Sequence, residues 1–191
     1  MTPRLILTGF MATGKSVVGP LVARQLGWSF VDSDAEIVRR AGKPIAEIFR
    51  AHGEAHFRSL EREVIAELAG DPRRCVQCHG PRPAVIATGG GALVDHANCA
   101  ALKSAGVIVC LTARPQVIAA RVERSRARRP KLAEGGKPVL ERVRELMAER
   151  AEAYARGDVI IDTSDLAPEE AAELVIAEFA PRAVGRCRPS T

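Results

Sequence analysis

Gly9-Phe10-Met11-Ala12-Thr13-Gly14-Lys15-Ser16 matches G-x-x-x-x-G-K-[ST] in full, and its flanks restrict the fold more than any other stretch of the chain. An apolar run, Leu5-Ile6-Leu7, precedes it. Val17, Val18, Leu21, Val22 and Leu26 follow at amphipathic helical spacing. Strand, glycine loop and helix in that order make a P-loop, in which backbone N–H groups converge on a phosphate and the helix N-terminus adds partial positive charge. Ala12, Thr13, Gly14, Lys15, Ser16 and Val17 are the expected nucleotide contacts. Lys15 would reach the β/γ-phosphates and Ser16 would ligate Mg²⁺. A chance loop before a helix is the alternative, and a full match in this context makes it a poor one.

The rest of the chain keeps the same rhythm. Candidate strands fall at 4–8, 28–31, 84–88, 107–111 and 158–162. Candidate helices fall at 15–26, 33–41, 45–52, 54–69, 95–105, 115–127, 137–155 and 168–180. Strands alternating with helices imply an α/β protein whose parallel sheet is covered on both faces. At 191 residues one domain is expected, spanning about 1–180. Segments 71–83 and 127–137 lack periodicity. The first reads as an inserted surface loop, the second as a lid, and the Pro/Arg-rich 181–191 as a loose tail. Pro20, inside the first helix, predicts a kink.

The net charge of +5 suits polyanions, but aromatics at 4% leave no base-stacking surface, so nucleotide phosphates fit it better than nucleic acid. No apolar run approaches membrane-spanning length. Met1–Leu7 enters a strand without an export signal, so reduced thiols and a cytoplasmic location are expected for the five cysteines. A monomer is expected, because no heptad seam is present.

Further polar clusters follow the strands. Asp32-Ser33-Asp34 comes after the second. Alternation would turn both carboxylates to the C-terminal rim of the sheet, one toward a metal-bound water and one toward a substrate hydroxyl. The competing reading is a helix cap, for which Ser33 is well suited. Arg58 lies beside a helical stripe of Phe57, Leu60 and Val64. It either reaches into a cleft or pairs on the surface with Glu54 or Glu61. Gly89-Gly90-Gly91 ends the third strand and would let a ligand touch backbone. The basic run Arg121, Arg124, Arg126, Arg128, Arg129 and Lys131 is either a solvated face or a source of phosphate-stabilising arginine. Arg150 follows the lid, and together with Arg58 it could hold an acidic substrate bidentately.

In this order GFMATGKS (9–16), DSD (32–34), IAEIF (45–49), GEAHFR (53–58), GGG (89–91), RRP (128–130) and MAERAEAY (147–154) resemble the shikimate kinases over about residues 4–180. The resemblance implies a three-layer α/β/α fold with a five-stranded parallel sheet in the order 2-3-1-4-5. It also implies ATP- and Mg²⁺-dependent phosphorylation of the 3-hydroxyl of shikimate. Under it, Lys15, Asp34 and Arg129 are catalytic. Asp34, Arg58, Gly89, Gly90, Gly91 and Arg150 bind substrate. Arg121 and Arg129 join the P-loop residues on the nucleotide, and Ser16 and Asp32 serve the metal. Two positions depart from the family pattern. Lys131 stands where an apolar lid residue is usual, and the loop Asp162-Thr163-Ser164-Asp165 lacks the usual arginine.

Cys75-Val76-Gln77-Cys78-His79 fits C-x-x-C-H, the haem-attachment spacing, but haem attachment needs export and a zinc site needs a second pair. Incidental surface thiols are the preferred reading. No Asn-Lys-x-Asp motif supports a GTPase. A kinase for another small polyol or acid such as gluconate, and a catalytically weak ATP-binding regulator, remain as alternatives.

Overall fold

The computed structural model describes residues 4–70, 83–124 and 137–186. Five strands form one all-parallel sheet: β1 (Arg4–Gly9), β2 (Ser29–Asp32), β3 (Ala84–Ala87), β4 (Val107–Thr112) and β5 (Val159–Asp162). Their order is β2-β3-β1-β4-β5, as the family resemblance implies. The helices are α1 (Lys15–Leu26), α2 (Ser33–Ala41), α3 (Ile45–Gly70), α4 (His96–Ala105), α5 (Pro115–Arg124), α6 (Val139–Glu149), α7 (Ala151–Tyr154) and α8 (Pro168–Arg186), with a 3₁₀ turn at Ala92–Val94.

The central strands β1 and β4 are largely apolar and buried because both faces are covered. In β1, Leu5 and Leu7 face α1 and α8 and pack with Val18, Val22, Val175 and Phe179. Ile6 faces the other way, onto Ile65, Leu93 and Leu102. Trp28 meets Phe179 edge-to-face, with centroids 5.4 Å apart, and ties α8 to the end of α1.

Two local expectations change, and α1 accommodates its proline. α1 runs through Pro20 without interruption. Its buried face of Val18, Gly19, Val22 and Ala23 is held in the core, and tertiary packing outweighs one lost backbone bond. The segment expected as one helix over 137–155 is two, because Arg150 leaves helical geometry (φ −108°, ψ 2°). α8 continues past the expected start of the tail to Arg186, with Pro181 inside it. At α3 the expected break is present: Gly53 (φ 79°, ψ 176°) separates two helical pieces.

Phe10, a variable position of the glycine loop, is 1% exposed and plugs a cluster of Ala113, Ile118, Val143 and Leu146. Phe10→Ala is expected to cost about 3–4 kcal/mol in urea unfolding. A loss below about 1 kcal/mol would show that this ring is not a core residue.

Candidate active site

Gly9 has φ +123°, and a Cβ there would sit 2.0 Å from the Leu111 carbonyl oxygen, so β1 can leave the sheet beside β4 only through glycine. The loop that follows is tied at every turn. Lys15 Nζ donates to the Gly9 and Phe10 carbonyls, both at 2.8 Å. Thr13 Oγ1 donates to the Phe10 carbonyl at 2.8 Å. Thr163, from the end of β5, lies with its hydroxyl 2.9 Å from the Thr13 carbonyl and 3.0 Å from that of Thr112. Arg121 Nη1 donates to the carbonyl of Ala12, which sits at φ 59°, at 3.3 Å. These bonds hold the loop open around a cavity of about 460 Å³ at the C-terminal rim of the sheet. Lys15, Ser16, Asp32, Asp34, Gly90 and Arg121 are among its lining residues.

Gly89, Gly90 and Gly91 organise the other wall. A Cβ on Gly89 would lie 2.7 Å from Asp34 Oδ1. One on Gly90 would meet the Gly9 carbonyl oxygen at 3.2 Å and Arg150 Nη1 at 3.5 Å. One on Gly91 would lie 2.8 Å from Arg58 Nη1. Each glycine therefore makes room for a different charged side chain or for the phosphate loop. The run is needed because β3 delivers the chain into the space where these groups meet.

The helix cap falls to Asp32 rather than to Ser33. Asp32 caps α2, its Oδ1 accepting from the N–H groups of Asp34 (2.9 Å) and Ala35 (3.2 Å). Ser33 is not the cap: its buried hydroxyl accepts from the Gly89 N–H at 3.2 Å and fastens α2 to the glycine run. Asp34 is half-buried, and its enclosed Oδ1 has no hydrogen-bond partner among the described residues. Burial first, then the negative charges of Asp32 and Glu61, push its carboxyl up to about 6, against the pull of Lys15 and Arg58.

The ion-pair reading of Arg58 is the one the structure shows. Arg58 pairs with Glu54 at 2.9 Å and with Glu61 at 2.7 Å, and the same guanidinium abuts Gly91. Arg150 is 8% exposed. It donates to the Gly90 carbonyl at 3.2 Å and lies over the Phe10 ring, 5.7 Å from its centroid. The break between α6 and α7 is what turns it inward.

At the far end of the cavity Arg121 also donates to the Thr163 carbonyl at 2.8 Å, and Leu166 and Pro168 close the wall. The loop without its own arginine thus takes guanidinium groups from α5 and the residue before it. Arg114 pairs with Asp165, and its N–H donates to Ser164 Oγ at 2.8 Å.

The structure adds Glu61, Thr163 and Tyr154 to the surroundings of the site. Glu61 is 1% exposed beneath Arg58, and only its helical offset from Arg58 pointed to it. Arg129 and Lys131, the 127–137 lid, and Cys75, Cys78 and His79 in the 71–83 segment lie outside the described residues, apart from Pro83 and Lys137 at the segment ends. Among the described residues no three His, Cys, Asp or Glu side chains converge as a metal cage, and no helix is long and apolar enough to cross a membrane. Mg²⁺ does not require such a cage, since it binds through one or two protein oxygens and the substrate phosphates. The Ser16 hydroxyl and Asp32 carboxylate, both on the cavity wall, fit that donor set.

A P-loop at the rim of a parallel sheet, with the Asp34 carboxylate on the same cavity wall and two arginines packed against the adjoining glycine run, is the arrangement of a P-loop kinase of small molecules. A family model described as shikimate kinase matches residues 11–180. A shikimate kinase of Thermodesulfovibrio yellowstonii is 42% identical over 92% of this chain and 94% of its own length. One of Geobacter sulfurreducens is 44% identical over 92% and 88%. Among solved structures, the shikimate kinase of Acinetobacter baumannii in complex with shikimate superposes with a TM-score of 0.82 at 31% identity, covering 95% of this chain and 94% of that one. The chain belongs to the shikimate kinase family.

Proposed function

We propose that the protein transfers the γ-phosphoryl group of ATP to the 3-hydroxyl of shikimate, giving 3-phosphoshikimate and ADP. The observation that carries this reading is the glycine run, which gathers Asp34, Arg150 and Arg58 along three successive residues beside the P-loop. A carboxylate to orient a hydroxyl and two guanidinium groups to grip an acid are what a small hydroxy-acid acceptor requires.

In this reading Lys15 draws in the β/γ-phosphates, and the N–H groups of Ala12 to Val17 wrap them. Arg121, Thr163 and Pro168 line the nucleotide end of the cavity. Asp34, already near neutral pH in affinity, accepts the hydroxyl proton or holds the hydroxyl in line. Arg129 is assigned to the transferring phosphoryl group from its motif alone. Ser16 would hold Mg²⁺ directly and Asp32 through water, and the ion would neutralise phosphate charge when bound. Asp32 Oδ2 is the oxygen available for that, since Oδ1 caps α2. The protein acts as a cytoplasmic monomer on two small molecules, with no nucleic acid or membrane involved. Cys99 and Cys110, free and buried, accord with a reducing compartment.

Steady-state ADP release with ATP, Mg²⁺ and shikimate tests the activity. Saturable, shikimate-dependent turnover is expected. ADP release that depends on gluconate but not shikimate, or nucleotide binding without turnover, would overturn it. Arg58→Ala is expected to raise the shikimate KM about 30-fold, the loss of a charge-assisted pair, with the ATP KM changed less than about threefold. Equal rises in both constants would remove Arg58 from the acid-binding role.

A further inference from the structure

Two donors converge on one backbone oxygen in the wall of the site. Tyr154 Oη donates to the Gly90 carbonyl at 2.7 Å, and Arg150 Nη1 donates to the same oxygen at 3.2 Å. The two side chains come from one turn of helix: the Tyr154 N–H bonds the Arg150 carbonyl at 3.0 Å, and Arg150 is the residue before α7. The other side of Gly90 is closed by the P-loop, through the Gly9 carbonyl and the Met11 N–H group. The Gly91 position that follows is closed by the Arg58 guanidinium. The peptide unit between Gly90 and Gly91 is therefore pinned through its oxygen, which fixes where its N–H points.

We propose that Tyr154 is a positioning residue for the acceptor site. Its hydroxyl holds the Gly90 carbonyl, so that the Gly90–Gly91 peptide keeps its orientation and the outer edge of the Arg150 guanidinium stays available to an acid group. A carbonyl oxygen has two lone pairs. With the phenol on one of them, Arg150 needs to give Gly90 only Nη1. Without it, the guanidinium is drawn further onto the carbonyl and away from the substrate. Burial pushes the Tyr154 hydroxyl up to about 12, so it remains a donor throughout the working pH range. Its ring packs against the cluster around Phe10, which carries the P-loop, so the same residue couples the two walls. This inference rests on the reading of Arg150 as an acid-binding group.

Tyr154→Phe in the full chain removes one oxygen and keeps the ring. The shikimate KM is expected to rise about tenfold, as for a lost buried hydrogen bond, with kcat and the ATP KM each within about twofold of the parent. In an Arg150→Ala background the same substitution is expected to add a smaller factor than it does alone, because part of its effect passes through the arginine. An unchanged shikimate KM, parallel rises in both KM values, or full additivity with Arg150→Ala would overturn the proposal. A crystal structure of Tyr154→Phe separates this from the activity itself. A rotated Gly90–Gly91 peptide, or Arg150 moved onto the Gly90 oxygen, is expected whether or not shikimate is the acceptor. An unmoved peptide and arginine would overturn the inference while leaving the activity standing, whereas a wild-type enzyme inert toward shikimate would overturn the activity alone.

Discussion

Lys15→Met is expected to lower kcat by at least about 10³, some 4 kcal/mol of transition-state stabilisation, without unfolding the protein. The ammonium is fixed by the Gly9 and Phe10 carbonyls at 2.8 Å. Its charge is therefore held at the loop before any phosphate arrives. Methionine keeps the aliphatic stem and removes only that charge and its donors. The urea midpoint should move by less than the equivalent of about 1 kcal/mol, because the loop is also held by Thr13, Thr163 and Arg121. Lys15→Arg should recover little, since a planar fork cannot replace a compact ammonium between two carbonyls. The check is single-turnover kinetics at saturating ATP. More than about a tenth of wild-type turnover in Lys15→Met would sink the phosphate role.

How much of this was readable in the chain depends on how local each signal is. The P-loop was fully legible, because glycine, lysine and serine at fixed offsets act through backbone geometry within eight positions. The strands were legible because a sheet covered on both faces leaves unbroken apolar runs such as Val107-Ile108-Val109-Cys110-Leu111. The glycine run was legible as a close approach, but not what approached it. Asp34, Arg58 and Arg150 reach Gly89, Gly91 and Gly90 from three different helical segments, and no sequence spacing encodes that meeting.

The helix break at Arg150 had no glycine or proline to announce it. It forms where the chain must turn a guanidinium inward, which is a tertiary demand. Tyr154 was hidden for the same reason, since its partner is a carbonyl 64 positions away. Ser33 and Asp32 show a third kind of failure. Both are good caps by type, and the choice between them falls to whichever side chain the Gly89 N–H does not claim.

Asp34→Asn is expected to lower kcat by about 10³ while making the protein more stable at neutral pH. The two effects share one cause. In the unfolded chain the carboxyl has its ordinary value of 3.8, and folding raises it to about 6, chiefly by burial. Between those values the folded chain keeps a proton that the unfolded chain releases, so stability falls as pH rises from about 4 through about 6. Above pH 7 the full cost, about 3 kcal/mol, is in place. Asparagine has the same shape and no charge, so the variant should be about 1–3 kcal/mol more stable than the parent at pH 7.5. It should lose that advantage as the pH drops below about 4, where the parent's carboxyl is neutral in both states. The parent's turnover should fall on the acid side as Asp34 takes up its proton, and the residual activity of the variant should lack that limb. Urea denaturation of both proteins at pH 4 and pH 7.5, beside their pH–rate profiles, decides the matter. A stability difference that does not change with pH, or a variant retaining a tenth of its turnover, would mean that the charge on this carboxylate is not what the site is built around.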